Sequence, residues 1–151
     1  MAQNGVEIKD VIDVKRETGK ILFAYDESDH SKIALQKLIQ YHLKPGDELY
    51  ILNVHPEMKA VSQLVKDKSN YEATYMKKVA LIKSVAAMIE AKHNVQTFSI
   101  VKIGEAREVI RKAISEFGIT QLILGSRGLG NIKGMLLGSV SSYCVRQCNC
   151  T

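Results

Sequence analysis

The sequence predicts a single α/β domain of the doubly wound type, in which helices cover both faces of a parallel sheet. Short apolar runs of strand length alternate with longer segments whose apolar residues recur every three or four positions. A glycine-rich segment follows the last apolar run, as at a turn from a buried strand into a helix. Such units join through right-handed crossovers into a parallel sheet, and 151 residues suit one domain.

The first strand is predicted over residues 20–25 (KILFAY), an apolar run that ends before Asp26. Ser28, Asp29 and Ser31 are of the residue types that cap helix N-termini, so a helix is expected directly after the strand. Its buried face is predicted from an apolar stripe made of Ala34, Leu35, Leu38 and Ile39.

The second strand is predicted over residues 48–54 (ELYILNV), after a break at residues 44–47 (KPGD). The third strand is expected at about residues 97–102. Between them a helix is predicted from Tyr75, because apolar residues then recur in alternating steps of three and four at Val79, Ile82, Ala86 and Ile89.

A further helix is predicted over residues 106–117, with Gly118 as its C-cap. The short apolar run at residues 121–124 follows at once and predicts the fourth strand. The buried face of this helix is expected to consist of Ala106, Val109, Ile110, Ala113, Ile114 and Phe117.

Composition excludes several classes of protein. The net charge of +5 comes from 21 basic and 16 acidic residues, a modest excess carried mostly by lysines of predicted helix surfaces. No aromatic and basic RNA-binding motif, basic zipper or zinc-finger spacing occurs, so no nucleic-acid partner is expected. Neither a signal peptide nor an apolar run of membrane-spanning length is present, which favours a cytoplasmic protein without a membrane partner.

Cysteines occur only near the end of the sequence, at Cys144, Cys148 and Cys150. An odd number in a chain without a leader sequence argues against a disulfide framework, so the thiols are expected to be reduced. The histidines are scattered and no paired CxxC occurs, so no metal site is predicted.

The segment after the fourth strand carries a pattern suited to phosphate. Gly125, Gly128 and Gly138 let backbone N–H groups approach a ligand closely. The first two would permit positive backbone torsions and lack the Cβ that would otherwise collide with a phosphate. A helix is predicted to open at or after Gly138, so its unpaired amides and positive dipole end face the same loop. Hydroxyl groups of Ser139 and Ser141 add donors at the helix start.

One helix N-terminus contributes only about 0.3–2 kcal/mol toward an anion, whereas micromolar binding needs about 8 kcal/mol. A cation is therefore expected to assist the amides and hydroxyls. Arg127 and Lys133 are the candidates, and a solvated surface position is the alternative for both.

The spacing of Gly125, Gly128, Gly138 and Ser139 resembles the nucleotide signature of ATP-binding universal stress proteins: glycine, two residues, glycine, nine residues, glycine, then serine or threonine. The resemblance covers roughly residues 20–148. It extends to KILFAYDESDHSKIALQKLI, LYILNVHP and KIGEAREVIRKAISEFGITQLILGSRG.

The resemblance implies a nucleotide-binding domain over residues 20–151, preceded by an N-terminal extension over residues 1–19. It implies the strand order 3-2-1-4-5, with the ligand crevice between the first and fourth strands. Alternating apolar residues in the extension permit either a short added strand or a mobile arm.

The resemblance also assigns site residues, with ATP or AMP as the ligand and Mg²⁺ or Mn²⁺ accompanying ATP. Asp26 would accept a hydrogen bond from a ribose hydroxyl, or alternatively cap a helix. Val54 and Leu124 would meet adenine, or alternatively be core residues. The full set implied for nucleotide binding is Ala24, Tyr25, Asp26, Val54, Leu124, Gly125, Arg127, Gly128, Gly138, Ser139, Val140 and Ser141.

Two features depart from the family pattern. Glu27 follows Asp26 where many members have glycine, which places a second acidic group near the crevice. A fifth strand, which commonly builds the family's dimer, is apparently missing or truncated, because the sequence ends CNCT after the last predicted helix. A homodimer is therefore an open expectation.

Three functions compete. The first is a cytosolic ATP- or AMP-binding sensor or switch linked to stress, favoured because a phosphate loop occurs without an evident general base. The second is a slow metal-dependent ATP hydrolase that uses Asp26 and Glu27. The third is an interaction protein with a degenerate pocket. A Walker lysine and a catalytic triad are both absent from the sequence, which disfavours an enzyme.

Overall fold

The computed structural model describes residues 17–60, 67–128 and 137–151. In these residues four parallel strands form one sheet: β1 (Lys20–Ala24), β2 (Glu48–His55), β3 (Gln96–Ile103) and β4 (Gln121–Leu124). Their order is β3-β2-β1-β4. The doubly wound parallel sheet and the predicted order of its first four strands are confirmed.

Helices cover both faces of this sheet. One face carries α1 (Asp29–Lys37), which continues into a π-helical turn at Leu38–His42, and α2 (Lys68–Lys92). The other face carries α3 (Ala106–Phe117) and α4 (Ser139–Gln147). Within the described ranges no helix combines the length and apolarity needed to cross a membrane.

The sheet divides the core into two clusters because neighbouring residues of a strand point to opposite faces. Ile21 and Phe23 of β1 pack toward α1 and α2, where Ile82 of α2 is fully buried. Leu22 packs to the other side, where Ile110 of α3 is 2% exposed. Burial of β1 on both faces explains why its sequence is continuously apolar.

The start of α1 is held by side-chain hydrogen bonds. Ser28 is the N-cap, and its Oγ accepts from the Ser31 N–H at 3.1 Å. Asp26 lies two residues earlier, and its Oδ1 accepts from both the N–H and the Oγ–H of Ser28. The predicted cap is confirmed at Ser28, and Asp26 supports it.

The helix α2 begins at Lys68, seven residues before the predicted start at Tyr75. Its first two turns are exposed apart from half-buried Tyr71, so they carry no apolar periodicity. The start is instead fixed by a cap, since Asp67 Oδ1 accepts from the Ser69 N–H at 2.9 Å.

No fifth strand occurs among the described residues. The edge of β4 opposite β1 instead bonds to the last residue. Leu122 N–H donates to the Thr151 carbonyl at 2.8 Å, and Thr151 N–H donates to the Thr120 carbonyl at 3.2 Å. Two sequence predictions cannot be compared with the structure, since Lys133 and most of the N-terminal extension lie outside the described residues.

Candidate functional site

The carboxyl ends of β1 and β4 meet at one edge of the sheet, where Ala24 pairs with Leu124. A cavity of about 240 Å³ opens at this edge, toward α3 and α4. It lies between the first and fourth strands, where a reversal of strand order opens a crevice in doubly wound sheets. The crevice is thus at the position expected from the sequence.

The cavity brings together the full set of residues that the family resemblance implied for nucleotide binding, whereas Lys133, the other candidate cation, lies outside the described residues. Strands and the turns after them supply one wall, and the start of α4 supplies the opposite wall. The lining residues are Ala24, Tyr25, Asp26, Val54, Leu124, Gly125, Arg127, Gly128, Gly138, Ser139, Val140 and Ser141. The structure shows that these residues line one cavity. The role of each residue in nucleotide binding stays a prediction.

Three further lining residues were not predicted from the sequence: Leu52, Ala106 and Ile110. Leu52 lies two residues before Val54 on β2, so strand alternation puts both on one face. Ala106 is the first residue of α3, which starts at the same edge of the sheet. These two signals were available in the sequence.

At Gly125 and Gly128 the space beside the backbone is restricted, whereas the backbone conformation is not left-handed. Positive φ among the described glycines occurs at Gly46, Gly104 and Gly118, so Gly125 and Gly128 do not adopt the positive torsions that glycine would permit there. A Cβ at Gly125 would lie 2.9 Å from two backbone atoms of α1, the carbonyl carbon of His30 and the amide nitrogen of Ser31.

The same applies to Gly128. A Cβ there would lie 2.7 Å from Asp26 Oδ2. A larger residue at position 128 would therefore have to displace the Asp26 carboxylate, whose Oδ1 is bonded to Ser28.

The start of α4 is tied to the loop through one carbonyl. The Gly138 N–H and the Ser141 hydroxyl both donate to the Ser126 carbonyl, each at 2.7 Å. Gly138 is the N-cap, so Ser139, Val140 and Ser141 lie in the first turn, whose amides have no intrahelical acceptor. The positive end of the helix dipole therefore lies at the cavity wall.

Arg127 contributes an unsatisfied donor to this wall. Its Nε is buried and has no hydrogen-bond partner within the described part of the chain. Its main-chain carbonyl oxygen lies 3.4 Å from Ser28 Oγ. A buried N–H of a cation without an acceptor is unfavourable, so a bound anion is the group that would satisfy it.

The two acidic residues near the crevice are not equivalent. Asp26 lines the cavity, whereas Glu27 is exposed and does not. Burial, and then the charges of Glu27 and Asp26, raise the pKa of Tyr25 above its usual value, so Tyr25 stays neutral at physiological pH. Across residues 17–60, 67–128 and 137–151, no three His, Cys, Asp or Glu side chains are grouped to hold a metal ion.

The sequence matches the universal stress protein family over residues 17–151. Universal stress protein Sll1388 of Synechocystis is 27% identical over 148 residues, which is 88% of this chain and 94% of that protein. Universal stress protein PHOS32 of Arabidopsis thaliana is 28% identical over 152 residues, covering 87% of this chain. This chain spans 62% of the length of PHOS32.

Solved structures share the fold. That of MJ0577, a protein of Methanocaldococcus jannaschii, superposes with a TM-score of 0.75 at 24% identity, over 87% of this chain and 91% of that one. An Arabidopsis thaliana family protein with AMP bound gives 0.61 at 17% identity, over 88% of each chain. A universal stress protein in complex with cAMP gives 0.55 at 19% identity, over 87% of this chain and 92% of that one. Because the family match extends over most of the sequence, the chain belongs to the universal stress protein family.

Proposed function

We propose that this protein binds an adenine nucleotide, ATP or AMP, in the cavity between β1 and β4. The observation that carries the proposal is the cavity wall in which the start of α4 lies beside Arg127, whose Nε has no hydrogen-bond partner among the described residues. A phosphate group supplies the acceptor that this donor lacks, and it does so where a helix N-terminus already favours negative charge.

The two ends of the cavity differ in chemistry, which orients the ligand. Phosphates lie against the loop Gly125–Gly128 and the first turn of α4. The ribose faces Asp26, and the base packs among apolar side chains on the sheet side. Those apolar side chains are Ala24, Leu52, Val54, Ile110 and Leu124.

Proteins of the same fold support the ligand class, since one solved structure holds AMP and another holds cAMP. A metal ion accompanying ATP would find one carboxylate in this cavity, that of Asp26. The fit for Mg²⁺ or Mn²⁺ therefore depends mainly on the phosphates themselves, and a hydrolytic role is not part of the proposal.

The proposal places the protein in the cytoplasm as a stress-linked sensor or switch. In this role the nucleotide-bound state would be read by a partner. The family resemblance suggests a homodimer, but the fifth strand that commonly builds it is not found among the described residues.

Calorimetric titration with AMP, ATP, cAMP and adenosine, each with and without Mg²⁺, tests the proposal. We expect Arg127→Met to weaken AMP binding about tenfold or more, since a hydrogen bond to a charged group contributes about 1.5–3 kcal/mol. Adenosine lacks the phosphate, so its weaker affinity should not change. Arg111→Met is the matched control, because Arg111 bonds Glu108 on the surface of α3 and does not line the cavity.

A second variant fills the site directly. Gly128→Val should abolish nucleotide binding, because its side chain collides with Asp26. Gly118→Asn is the control glycine replacement: it lies outside the cavity and asparagine tolerates its left-handed conformation. Absence of binding to the unmodified protein at millimolar nucleotide would disprove the proposal.

A further inference from the structure

The three cysteines come together on the α3–α4 side of the sheet. Cys144 is 4% exposed, and half-buried Cys148 and Cys150 pack against the same apolar cluster. All three are free thiols. Their clustering is not needed for nucleotide binding, since none of them lines the cavity.

Cys148 is in contact with Cys144. They lie one helical turn apart, and the Cys148 N–H donates to the Cys144 carbonyl at 3.0 Å. Cys148 is also near enough to the Cys144 thiol to affect its pKa. Burial, followed by the effect of Cys148, raises the pKa of Cys144 to about 12, so Cys144 stays protonated at neutral pH.

Exposure separates the roles of the two sulfurs. Cys148 is the C-cap of α4 and is half-exposed, whereas Cys144 is enclosed in the core. An oxidant in solution therefore reaches Cys148 first, with a second thiol already in contact behind it.

The same helix carries the candidate site at its other end. Ser141, Cys144 and Cys148 are spaced by three and four residues, which places them on one helix face. Ser141 Oγ–H holds the Ser126 carbonyl of the phosphate loop at 2.7 Å. Because α4 has only nine residues, a distortion of its last turn begins one turn from this contact.

We propose that Cys144 and Cys148 form a peroxide-sensitive thiol pair, and that their disulfide loosens α4 from the loop Gly125–Gly128. The thiolate of Cys148 attacks the O–O bond of hydrogen peroxide, which gives a sulfenic acid at Cys148 and one water. The Cys144 sulfur then forms the S–S bond and displaces the sulfenic oxygen as a second water. Two thiols thus lose two electrons and two protons to one peroxide.

The expected distortion follows from bond geometry. A disulfide needs a Cβ–Cβ separation of about 3.5–4.5 Å, whereas residues one helical turn apart have Cβ atoms about 5–6 Å apart. Closing the bond must therefore deform the last turn of α4. The hydrogen bond from Cys148 N–H to the Cys144 carbonyl is the first one affected.

The test treats the full chain with hydrogen peroxide and maps the product by mass spectrometry. We expect a Cys144–Cys148 disulfide in the unmodified protein and in the matched control C150S. It should not form in C148S, nor in C144S or C144A, of which the alanine variant avoids placing a hydroxyl in the core. Amides of residues 139–147 should exchange faster with deuterium after oxidation, and a thiol reductant should reverse this.

The expected effect of oxidation on ligand binding rests on the proposed function. AMP affinity should fall by about fivefold or more on oxidation, the lower end of typical couplings between sites, in the unmodified protein and in C150S. An unmodified thiol pair after peroxide treatment, or a disulfide that joins Cys148 to Cys150, would overturn the inference. Failure of the reduced protein to bind AMP would refute the nucleotide proposal instead, because disulfide mapping and amide exchange need no ligand.

Discussion

The two faces of the sheet differ at the edge formed by the carboxyl ends of the strands. On the α3–α4 face this edge opens into the cavity. On the α1–α2 face the same edge is closed by His55, the last residue of β2, which is 2% exposed. Its ring packs against Tyr71 and Tyr75 of α2, with centroids 4.5 and 5.6 Å apart.

The difference follows from the helices rather than from the strands. The 25-residue α2 begins well before its residues that are buried against the sheet. Its first turns bring the rings of Tyr71 and Tyr75 over the end of β2. The nine-residue α4 starts only after the glycine-rich segment and leaves its first turn facing the cavity. A cavity in such a sheet thus depends on where the covering helix begins.

The largest expected effect is on the closed face. Ile82→Ala removes a fully buried side chain from the α1–α2 core and should lower the free energy of unfolding by about 2–5 kcal/mol. Urea unfolding measures it, with Met76→Ala, 61% exposed on the same helix, as the control that stays within about 0.5 kcal/mol. A loss equal to that of the control would show that this face is not rigidly packed.

A smaller effect is expected where the loop meets α1. Gly125→Ala places a Cβ 2.9 Å from backbone atoms of His30 and Ser31, which cannot move without shifting the helix. Overpacking should cost about 1–3 kcal/mol and should also weaken AMP binding. Gly118→Ala is the contrasting variant, because nothing lies near its Cβ and its cost is conformational. Equal AMP affinity in Gly125→Ala and the unmodified protein would contradict the close contact.

The smallest effect concerns pH. Burial, and then the charge of Lys78, lower the pKa of His55, and Tyr71 and Tyr75 are the titratable rings that face it. Neutral His55 therefore stabilises the fold above about pH 6.5, the value in unfolded chains. This contribution falls as the pH drops below 6.5 toward the lower pKa of the folded state.

His55→Phe tests this assignment. The unfolding free energy of the variant should decline less between pH 7 and pH 5 than that of the unmodified protein. His93→Gln, at the C-cap of α2 and outside the aromatic contact, should keep the original decline. An unchanged pH dependence in His55→Phe would rule out His55 as its source.

The sequence was sufficient for β1 and β2, because burial on both faces makes their central residues continuously apolar. It was insufficient for the first turns of α2, whose exposed residues carry no periodicity, although Asp67 provides a cap. The π-helical turn at Leu38–His42 was also missed. The extra residue that a π-helical turn contains leaves the apolar stripe of the sequence almost unaltered.

The candidate cavity was predictable in its location and less so in its walls. The family resemblance and the glycine spacing placed most lining residues, but Ile110 depends on how α3 is rotated against the sheet. The restricted space at Gly125 and Gly128 could not be predicted, because it comes from His30, Ser31 and Asp26 across the loop. Contacts between distant segments of this kind leave no local pattern.

Glu27 is the non-glycine residue with positive φ, 65°, in the part of the chain that the structure describes. This conformation costs an L-residue roughly 1–2 kcal/mol, and the hydrogen bonds between Asp26 and Ser28 maintain it. The turn therefore takes its shape from its two neighbours, and glycine or asparagine could replace Glu27 without loss of either bond. Evolution can thus alter the charge beside the cavity entrance independently of the turn that supports it.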